Sequence, residues 1–172
     1  MTLSNTQQYM VKTLTVLTKW IFVFVILQFV IASAGRVQGQ SMEPTLLSGQ
    51  QFVVWKVPYF FHAPRRLQVV QIIDPTLPRR LIVKRVIGLP GETVSFVDGA
   101  VMITDTTGYQ FTLSEPYLPT GLLTNVPVGR PTQYVIPPNH YFVLGDNRGN
   151  SLDSRYFGPV HRRNINGTIK PF

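Results

Sequence analysis

The sequence predicts a mainly β domain that follows one N-terminal apolar helix. Three observations support this: short runs rich in valine, isoleucine, phenylalanine and tyrosine, turn signals between the runs, and 14 prolines, which argue against long helices. Once the N-terminal segment is set aside, about 135 residues remain, enough for one globular domain with its own core. We therefore expect a twisted, partly closed antiparallel sheet.

Several short segments have the composition of strands and are bounded by turn residues. They are Gln51–Trp55, Leu67–Ile73, Leu81–Ile87, Thr93–Val97, Ala100–Thr104, Gln110–Leu113, Gln133–Ile136 and Tyr141–Leu144. The dipeptide Asp98-Gly99, between two of these segments, is a two-residue hairpin signal. A less regular stretch follows it, and we expect a small inserted lobe or flap at about 98–134.

The N-terminal segment is apolar from Trp20 to Ala34. As a helix it would cover only about 22 Å, which is short of a hydrocarbon core of about 30 Å. An extension back to Leu14 gives about 31 Å and includes Lys19, whose long side chain can reach the headgroups. The sequence therefore predicts a transmembrane helix over about 14–34.

The flanking charges predict an orientation for this helix. Lys12 and Lys19 come early, so we expect residues 1–35 to contain a short cytoplasmic N-terminus and the span. Residues 36–172 would then form an extracytoplasmic domain. The alternative is a cleaved secretory signal, because Ala32-Ser33-Ala34 has the small-x-small form of a cleavage site.

The composition narrows the classes of partner. The net charge is +8, but the basic residues are dispersed and no nucleic-acid-reading motif is present, so we expect no nucleic-acid partner. Attraction to acidic lipid headgroups fits this charge better. Cysteine is absent, which excludes a disulfide framework and a thiolate nucleophile.

Ser41 lies in the run Gly39 to Thr45, seven residues past Ala34. A serine hydroxyl is a poor nucleophile and needs a base within hydrogen-bond reach. Gly39 permits close approach of another backbone and Pro44 fixes the loop shape, so the N–H of Ser41 could stabilise a developing oxyanion. The simpler interpretation is that Ser41 and Thr45 only cap a turn.

Lys84 lies in a predicted strand, where it shares a face with Ile82 and Val86. In water a lysine has a pKa near 10.4 and cannot accept a proton at neutral pH, but burial lowers this pKa. An apolar strand face would supply that burial. The alternative is a lysine that extends into solvent at a sheet edge. Arg85 points the opposite way, and we expect it to form a structural ion pair.

A third run, Gly145 to Arg155, is polar and follows an apolar strand. Its side chains can satisfy one another in a buried loop, and Asp153 with Arg155 could form a charge-assisted pair. Ser151 could hydrogen-bond a neutral lysine. The run lacks the spaced acidic set of a calcium loop, so we expect no metal.

These three runs, in this order behind an apolar segment, resemble the bacterial type I signal peptidases, serine proteases with a Ser-Lys dyad. The resemblance covers most of Gly35 to Pro159. It implies the mainly β signal-peptidase fold, which the self-cleaving SOS repressors share. It also implies that Ser41 is the nucleophile, that Lys84 is the general base and that no cofactor is needed.

The resemblance also implies supporting roles. Ser151 would position the lysine, Asp153 and Arg155 would hold the site together, and Gly145 and Asn150 would occupy structural positions of the motif.

The oxyanion hole would use backbone N–H groups, chiefly that of Ser41, because Gly39 stands where some members carry a serine. Gly149 stands where an aspartate is often found, which leaves the role of that position open. By the resemblance, five residues would line shallow apolar pockets that admit alanine and exclude larger groups: Val37, Met42, Leu46, Ile82 and Val83.

The implied activity is removal of N-terminal signal peptides from exported preproteins, with cleavage after a small-x-small (Ala-x-Ala) sequence. The substrate would lie extended beside Ile82–Lys84 as an added strand. We expect preproteins and the lipid bilayer as partners, a single span in the bacterial plasma membrane, and a monomer.

Other interpretations remain open at this point. A Ser-His-Asp hydrolase would use His62, His140 or His161, although none lies in a matching motif. A self-cleaving repressor shares the dyad but lacks a membrane span, and the mitochondrial inner-membrane peptidase is also similar. A membrane-anchored β-domain that binds peptides without cutting them is the alternative outside enzymes.

Overall fold

The computed structural model describes residues 4–56, 62–77 and 79–171, and within them the side chains of all but 27–30 and 171. Helix α1 (Asn5–Ile31) precedes the strands, and a single-turn helix α2 (Ser154–Phe157) and a short 3-10 helix (Arg162–Asn164) lie near the end. The strands are β1 (Ala32–Arg36), β2 (Gln51–Trp55), β3 (Val69–Ile73), β4 (Leu81–Gly88), β5 (Thr93–Val97), β6 (Ala100–Thr104), β7 (Gln110–Thr112), β8 (Gln133–Val135), β9 (His140–Leu144), β10 (Val160–His161) and β11 (Ile165–Pro171).

The strands form two antiparallel sheets. The larger has the order β1-β2-β11-β3-β4-β9-β10, and the smaller has the order β7-β6-β5-β8. Strand β4 pairs with β3 from Leu81 to Arg85, but its pairing with β9 begins only at Arg85. The other edge of Leu81–Lys84 therefore has no partner strand in the described chain.

Three groups of buried apolar side chains form the core. One fills the space between the smaller sheet and the ends of β4 and β9, and a second lies under β3, β4 and β9. The third packs behind the Ser41 loop and contains Val37, Met42, Leu46, Phe52, Val54 and Ile169. The loop that carries Ser41 is thus fixed by its own apolar residues.

The predicted N-terminal helix is present, but its predicted end at residue 34 is wrong. Helix α1 ends at Ile31, and Ala32–Ala34 belong to β1, where they pair with Trp55–Val53 of β2. Backbone pairing with β2 therefore overrides the continuation of the apolar helix. Among the described residues, one stretch, Asn5–Ile26, is long and apolar enough to cross a membrane by length and composition.

The mainly β class is confirmed, and each predicted strand is present with bounds shifted by at most two residues. The Asp98-Gly99 hairpin is also confirmed, because both residues have positive φ, 49° and 76°, and Val97 pairs with Ala100. The predicted insertion at 98–134 falls within the smaller sheet, whose first strand already begins at Thr93.

Candidate active site

Ser41 lies in a tight turn between β1 and β2. The turn is closed by backbone hydrogen bonds from Glu43 to Gln40 and from Leu46 to Met42. Within the described chain the N–H of Ser41 donates to no other group, whereas its carbonyl accepts from the N–H of Asn147 at 3.1 Å. The turn therefore leaves one backbone donor free beside the hydroxyl.

Lys84 lies on β4 at the level of this turn. Its Nζ donates to Ser41 Oγ at 2.8 Å, and the residue is only 2% exposed. It makes no ion pair among the described residues. Burial lowers the pKa of Lys84 to about 8, although the charge of Asp153 acts in the opposite direction. The predicted neighbourhood of these two side chains and the predicted burial of the lysine are thus present in the structure.

Arg85, the next residue, points the opposite way and is paired, as expected from the sequence. Its guanidinium donates to both carboxylate oxygens of Asp146, at 2.8 and 2.6 Å, and to the Thr45 hydroxyl at 3.2 Å. The guanidinium carbon lies 3.7 Å from the ring centre of Tyr117. Arg85 therefore joins the serine turn, the lysine strand and the third polar run.

The third run folds as a buried loop that ends in α2. Asp153 and Arg155 form the expected pair through two side-chain hydrogen bonds of 2.9 Å each. Asp153 also accepts from the N–H of Gly145 at 3.1 Å. A Cβ on Gly145 would lie 2.5 Å from the Ser41 carbonyl oxygen, so only glycine permits this close approach of the loop to the serine turn.

Asn150 and Asn147 link the same loop to Gln40. The amide of Asn147 donates to the Gln40 carbonyl at 3.1 Å, and the amide of exposed Asn150 reaches the Gln40 side chain at 3.5 Å. Gly149 is exposed, with open space around its Cα.

Ser151 is buried beside Gly145, but its hydroxyl has no hydrogen-bond partner in the described part of the chain. The predicted hydrogen bond from Ser151 to Lys84 is therefore not formed in this structure. The lysine uses Ser41 as its hydrogen-bond partner instead, and the Ser151 hydroxyl faces the Cα of Gly145.

Gly39 has φ +92°, and an added Cβ would meet nothing within 4 Å. The backbone conformation, and not lack of space, is what favours glycine at this position. A serine at this position would be strained without a change of backbone conformation.

Two cavities meet at the serine and share Gln38, Ser41, Arg80 and Ile82. The larger, of about 500 Å³, lies between β1 and the free edge of β4, and Val37, Met42, Ile82 and Val83 all line it as expected. The smaller, of about 400 Å³, contains Gly39, Lys84, Asn150 and Leu152.

Leu46 is the pocket residue that was predicted wrongly. It lines neither cavity, and at 1% exposure it is part of the core behind the serine turn. Its hydrogen-bonded position in the turn directs it inward beside Phe52, so that it supports the pocket wall formed by Met42.

Sequence analysis did not identify Glu115 and Tyr117, two residues of the predicted lobe that contact the buried arginines. Glu115 accepts hydrogen bonds from both terminal nitrogens of buried Arg148 and from the Tyr117 hydroxyl. Arg148 also donates to the Gly145 carbonyl at 3.0 Å. Glu115 and Tyr117 lie about 30 residues from their partners in sequence, and no local pattern marks them.

In the described chain, the three histidines take no part in the hydrogen bonds that link Ser41, Lys84 and the third polar run. The rings of His140 and His161 contact each other edge to face, with centres 4.9 Å apart, and both bond to local backbone. Among the described residues no hydrogen bond joins any histidine to Ser41. In the same residues no group of three histidine or acidic side chains is placed to hold a metal ion.

Comparison with known proteins places the chain in a family. The model of the family "signal peptidase, peptidase S26" matches residues 8–172. Signal peptidase I V of Bacillus subtilis is 35% identical over 145 residues, 78% of this chain and 81% of the relative. Signal peptidase I of Bacillus licheniformis is 36% identical over 140 residues, 77% of this chain and 71% of the relative.

A solved structure agrees with the fold. The crystal structure of a signal peptidase I from Enterococcus faecalis V583 matches with a TM-score of 0.51 and 30% sequence identity, over 63% of this chain and 98% of that chain. Because the family model covers nearly the whole sequence, the chain belongs to the signal peptidase family, peptidase S26.

Proposed function

We propose that the chain is a membrane-anchored serine endopeptidase that removes signal peptides from exported preproteins, with Ser41 as nucleophile and Lys84 as general base. One observation carries the proposed chemistry: a buried lysine, which has no carboxylate partner among the described residues, lies 2.8 Å from a serine hydroxyl. Membership in the signal peptidase family supports the substrate class.

The proposed reaction begins with neutral Lys84. With a pKa of about 8, roughly one lysine in ten is neutral at pH 7, and a docked peptide would increase this fraction by excluding water. The Ser41 hydroxyl then donates its proton to Nζ as Oγ attacks the scissile carbonyl carbon. The lysinium returns this proton to the leaving amine, which leaves an acyl-enzyme on Oγ.

Deacylation uses the same two groups. A water molecule gives its proton to neutral Lys84 and attacks the ester carbonyl, and the lysinium then returns the proton to Oγ. In both steps the negative charge forms on the carbonyl oxygen. The free N–H of Ser41 supports its assignment as one oxyanion donor, because it makes no hydrogen bond elsewhere in the described chain.

The free edge of β4 supports binding of an extended substrate. Backbone N–H and C=O groups of Leu81–Lys84 have no strand partner on that edge, so a peptide can pair with them as an added strand. Buried or partly buried Val37, Met42, Ile82 and Val83 leave shallow apolar walls. Small side chains such as alanine fit beside them, which agrees with a small-x-small cleavage sequence.

Helix α1 supports the membrane location. Its side chains are exposed over Asn5–Ile26, as expected when lipid and not protein surrounds the helix. We propose a single span, with the N-terminus in the cytoplasm and the catalytic domain outside the bacterial plasma membrane. Ser41 follows the helix end by ten residues, which keeps it within about 35 Å of the span.

The chemistry is tested with Ser41→Ala and Lys84→Met, assayed on a preprotein in detergent beside the wild type. We expect each variant to lose at least about a thousandfold in kcat/KM, because the nucleophile and base act as one unit. Wild-type turnover by either variant would exclude this mechanism. Binding of the preprotein without any product, in the wild type, would favour the peptide-binding alternative.

A matched control separates the dyad from a histidine base. The triple variant His62→Gln/His140→Gln/His161→Gln should cleave the preprotein at nearly the wild-type rate. Loss of cleavage with an intact fold would instead favour a Ser-His-Asp hydrolase.

A further inference from the structure

The larger cavity beside Ser41 has a positively charged rim. Its ionisable lining residues are Arg36 on β1 and Arg79 with Arg80 in the β3–β4 loop. Among the described residues no carboxylate lines this cavity, although Asp74 lines the smaller one. All three arginines are exposed. A docked peptide on the edge of β4 would therefore pass between guanidinium groups from opposite walls.

The side chains of these three arginines make almost no polar contacts within the described chain. Neither Arg36 nor Arg79 makes a hydrogen bond or ion pair through its side chain in the described chain. Arg80 makes only a long contact, 3.8 Å from its Nε to the Asp74 carboxylate, and more than half of its side chain is exposed. By contrast Arg85, Arg148 and Arg155 are buried and fully paired. The rim arginines thus have their donors available for a ligand.

Position along the strand limits where a ligand group would lie. Arg80 precedes Lys84 by four residues, which corresponds to about 13 Å along an extended strand. A peptide that pairs with this edge would bring a side chain to Arg79 and Arg80 within about four residues of the bond that Ser41 attacks. A carboxylate there could accept hydrogen bonds from one or more guanidinium groups.

We propose that Arg36, Arg79 and Arg80 form a specificity site that selects preproteins with an acidic residue close to the cleavage site. This inference rests on the proposed function and adds a charge preference to the choice of small residues. Each exposed ion pair between an arginine and the substrate contributes modestly to the binding free energy and is screened by salt. The preference for an acidic residue should therefore be severalfold and should weaken at high ionic strength.

The test uses peptides with one fixed Ala-x-Ala cleavage sequence and a single Glu, Gln or Lys placed in turn at each of the five positions on either side of the bond. The full chain is assayed in detergent at low salt. We expect Glu to raise kcat/KM about fivefold over Gln at one or two positions, and Lys to lower it. The Glu-to-Gln ratio is used because any effect of the arginines on Lys84 cancels in it.

In the triple variant Arg36→Gln/Arg79→Gln/Arg80→Gln we expect the Glu-to-Gln ratio to fall to about one. The control variant, Arg163→Gln, removes an exposed arginine outside both cavities and should keep the wild-type ratio. A ratio near one at every position in the wild type, or a ratio that survives in the triple variant, overturns the inference.

The outcomes distinguish this inference from the function on which it rests. If the Gln peptides are cleaved but the ratio is one, only the charge preference is wrong. If no peptide is cleaved, the proposed function itself fails. If the ratio is one and the rate instead responds to phosphatidylglycerol in phosphatidylcholine bilayers in the wild type but not in the triple variant, the arginines contact lipid and the specificity site is wrong.

Discussion

Lys84 and Arg85 are neighbours on β4, and they show two ways in which a protein can bury a cation. Both are nearly inaccessible, at 2% and 7% exposure. Arg85 faces Asp146, Thr45 and the ring of Tyr117, so its charge is paired on its own side of the strand. In the described chain Lys84 forms no ion pair and hydrogen-bonds to the Ser41 hydroxyl, and the cost of burying its charge appears as a lowered pKa.

The comparison shows how strand alternation separates a paired cation from the lysine that we propose as the catalytic base. Because consecutive side chains point to opposite faces, two adjacent cations can lie in different electrostatic environments. The paired guanidinium of Arg85 links three segments of the chain, whereas burial without an ion pair in the described chain lowers the pKa of the Lys84 amine toward the range of a base. The position of Lys84 therefore depends on the ion pair that its neighbour Arg85 forms with Asp146.

The largest expected effect comes from Arg85→Met. The substitution leaves the Asp146 carboxylate buried and without its ion-pair partner, so we expect unfolding free energy to fall by about 3–5 kcal/mol. Denaturant unfolding measures this loss. The exposed control Arg163→Met should change stability by less than about 0.5 kcal/mol. A loss below about 1 kcal/mol in Arg85→Met would contradict a structural role for the pair.

Lys84→Met should do the opposite and stabilise the fold. Folding lowers the pKa of Lys84 from 10.5 to about 8, so the folded state disfavours the charged lysine at pH 7. We expect a gain of about 3 kcal/mol at pH 7 together with loss of cleavage.

The pH dependence checks the sign of this effect. Between about pH 8 and 10.5 the unfolded wild type binds the proton more than the folded protein does, so wild-type stability rises with pH. The advantage of Lys84→Met should shrink over this range in denaturant titrations. An advantage independent of pH would mean that the lysine is not desolvated.

Glu115→Gln should produce a smaller loss of stability. The amide keeps the shape but removes the charge opposite Arg148, whose side chain is fully buried, and we expect a loss of about 1–2 kcal/mol. Adding Arg148→Met should cost less than the sum of the single changes, since the two side chains are coupled. Strict additivity in denaturant titrations would show that the pair does not link the lobe to the loop.

The smallest effect is a pair of opposite shifts in the pH profile of kcat/KM. The carboxylate of Asp74 raises the pKa of Lys84 and the charge of Arg80 lowers it. Asp74→Asn should therefore move the acid limb, near pH 8, to lower pH, and Arg80→Gln should move it to higher pH. Shifts in the same direction would rule out Lys84 as the group that titrates.

Asp74 itself is expected to remain ionised throughout this profile. Burial raises its pKa, but hydrogen bonds from the hydroxyl and N–H of Thr76 outweigh that effect and hold the pKa below its usual range. The acid limb therefore reports the lysine and not this carboxylate.

The sequence alone was sufficient to predict the strands whose own residues favour β structure. Strands β5 and β6 have the predicted bounds because β-forming residues and the Asp98-Gly99 turn agree. It was insufficient for β1, β10 and β11: β1 consists of residues with little strand propensity, β10 has only two residues, and β11 contains asparagine, glycine, lysine and proline among its isoleucines. Segments β1 and β11 are strands because β2 and β3 offer them backbone partners, a tertiary effect.

The same distinction applies to the site. The Asp153–Arg155 pair lies in one compact run, so the sequence itself predicted it, whereas the proximity of Ser41 and Lys84 was implied by the family resemblance. Glu115 and Tyr117 come from the smaller sheet's long connection and meet their arginines only after folding. Leu46 was misplaced because the family resemblance does not distinguish a pocket wall from the core behind it.

The position of β11 in the larger sheet has a consequence for when the protein can act. This strand is synthesised after the other ten described strands, yet it lies between β2 and β3 and joins the half of the sheet next to the Ser41 turn to the half that carries Lys84. A nascent chain that stops before Ile165 contains both side chains but lacks the strand that joins the two halves of the larger sheet. The sheet that supports the proposed dyad is therefore completed only late in synthesis, once the last strand has been made.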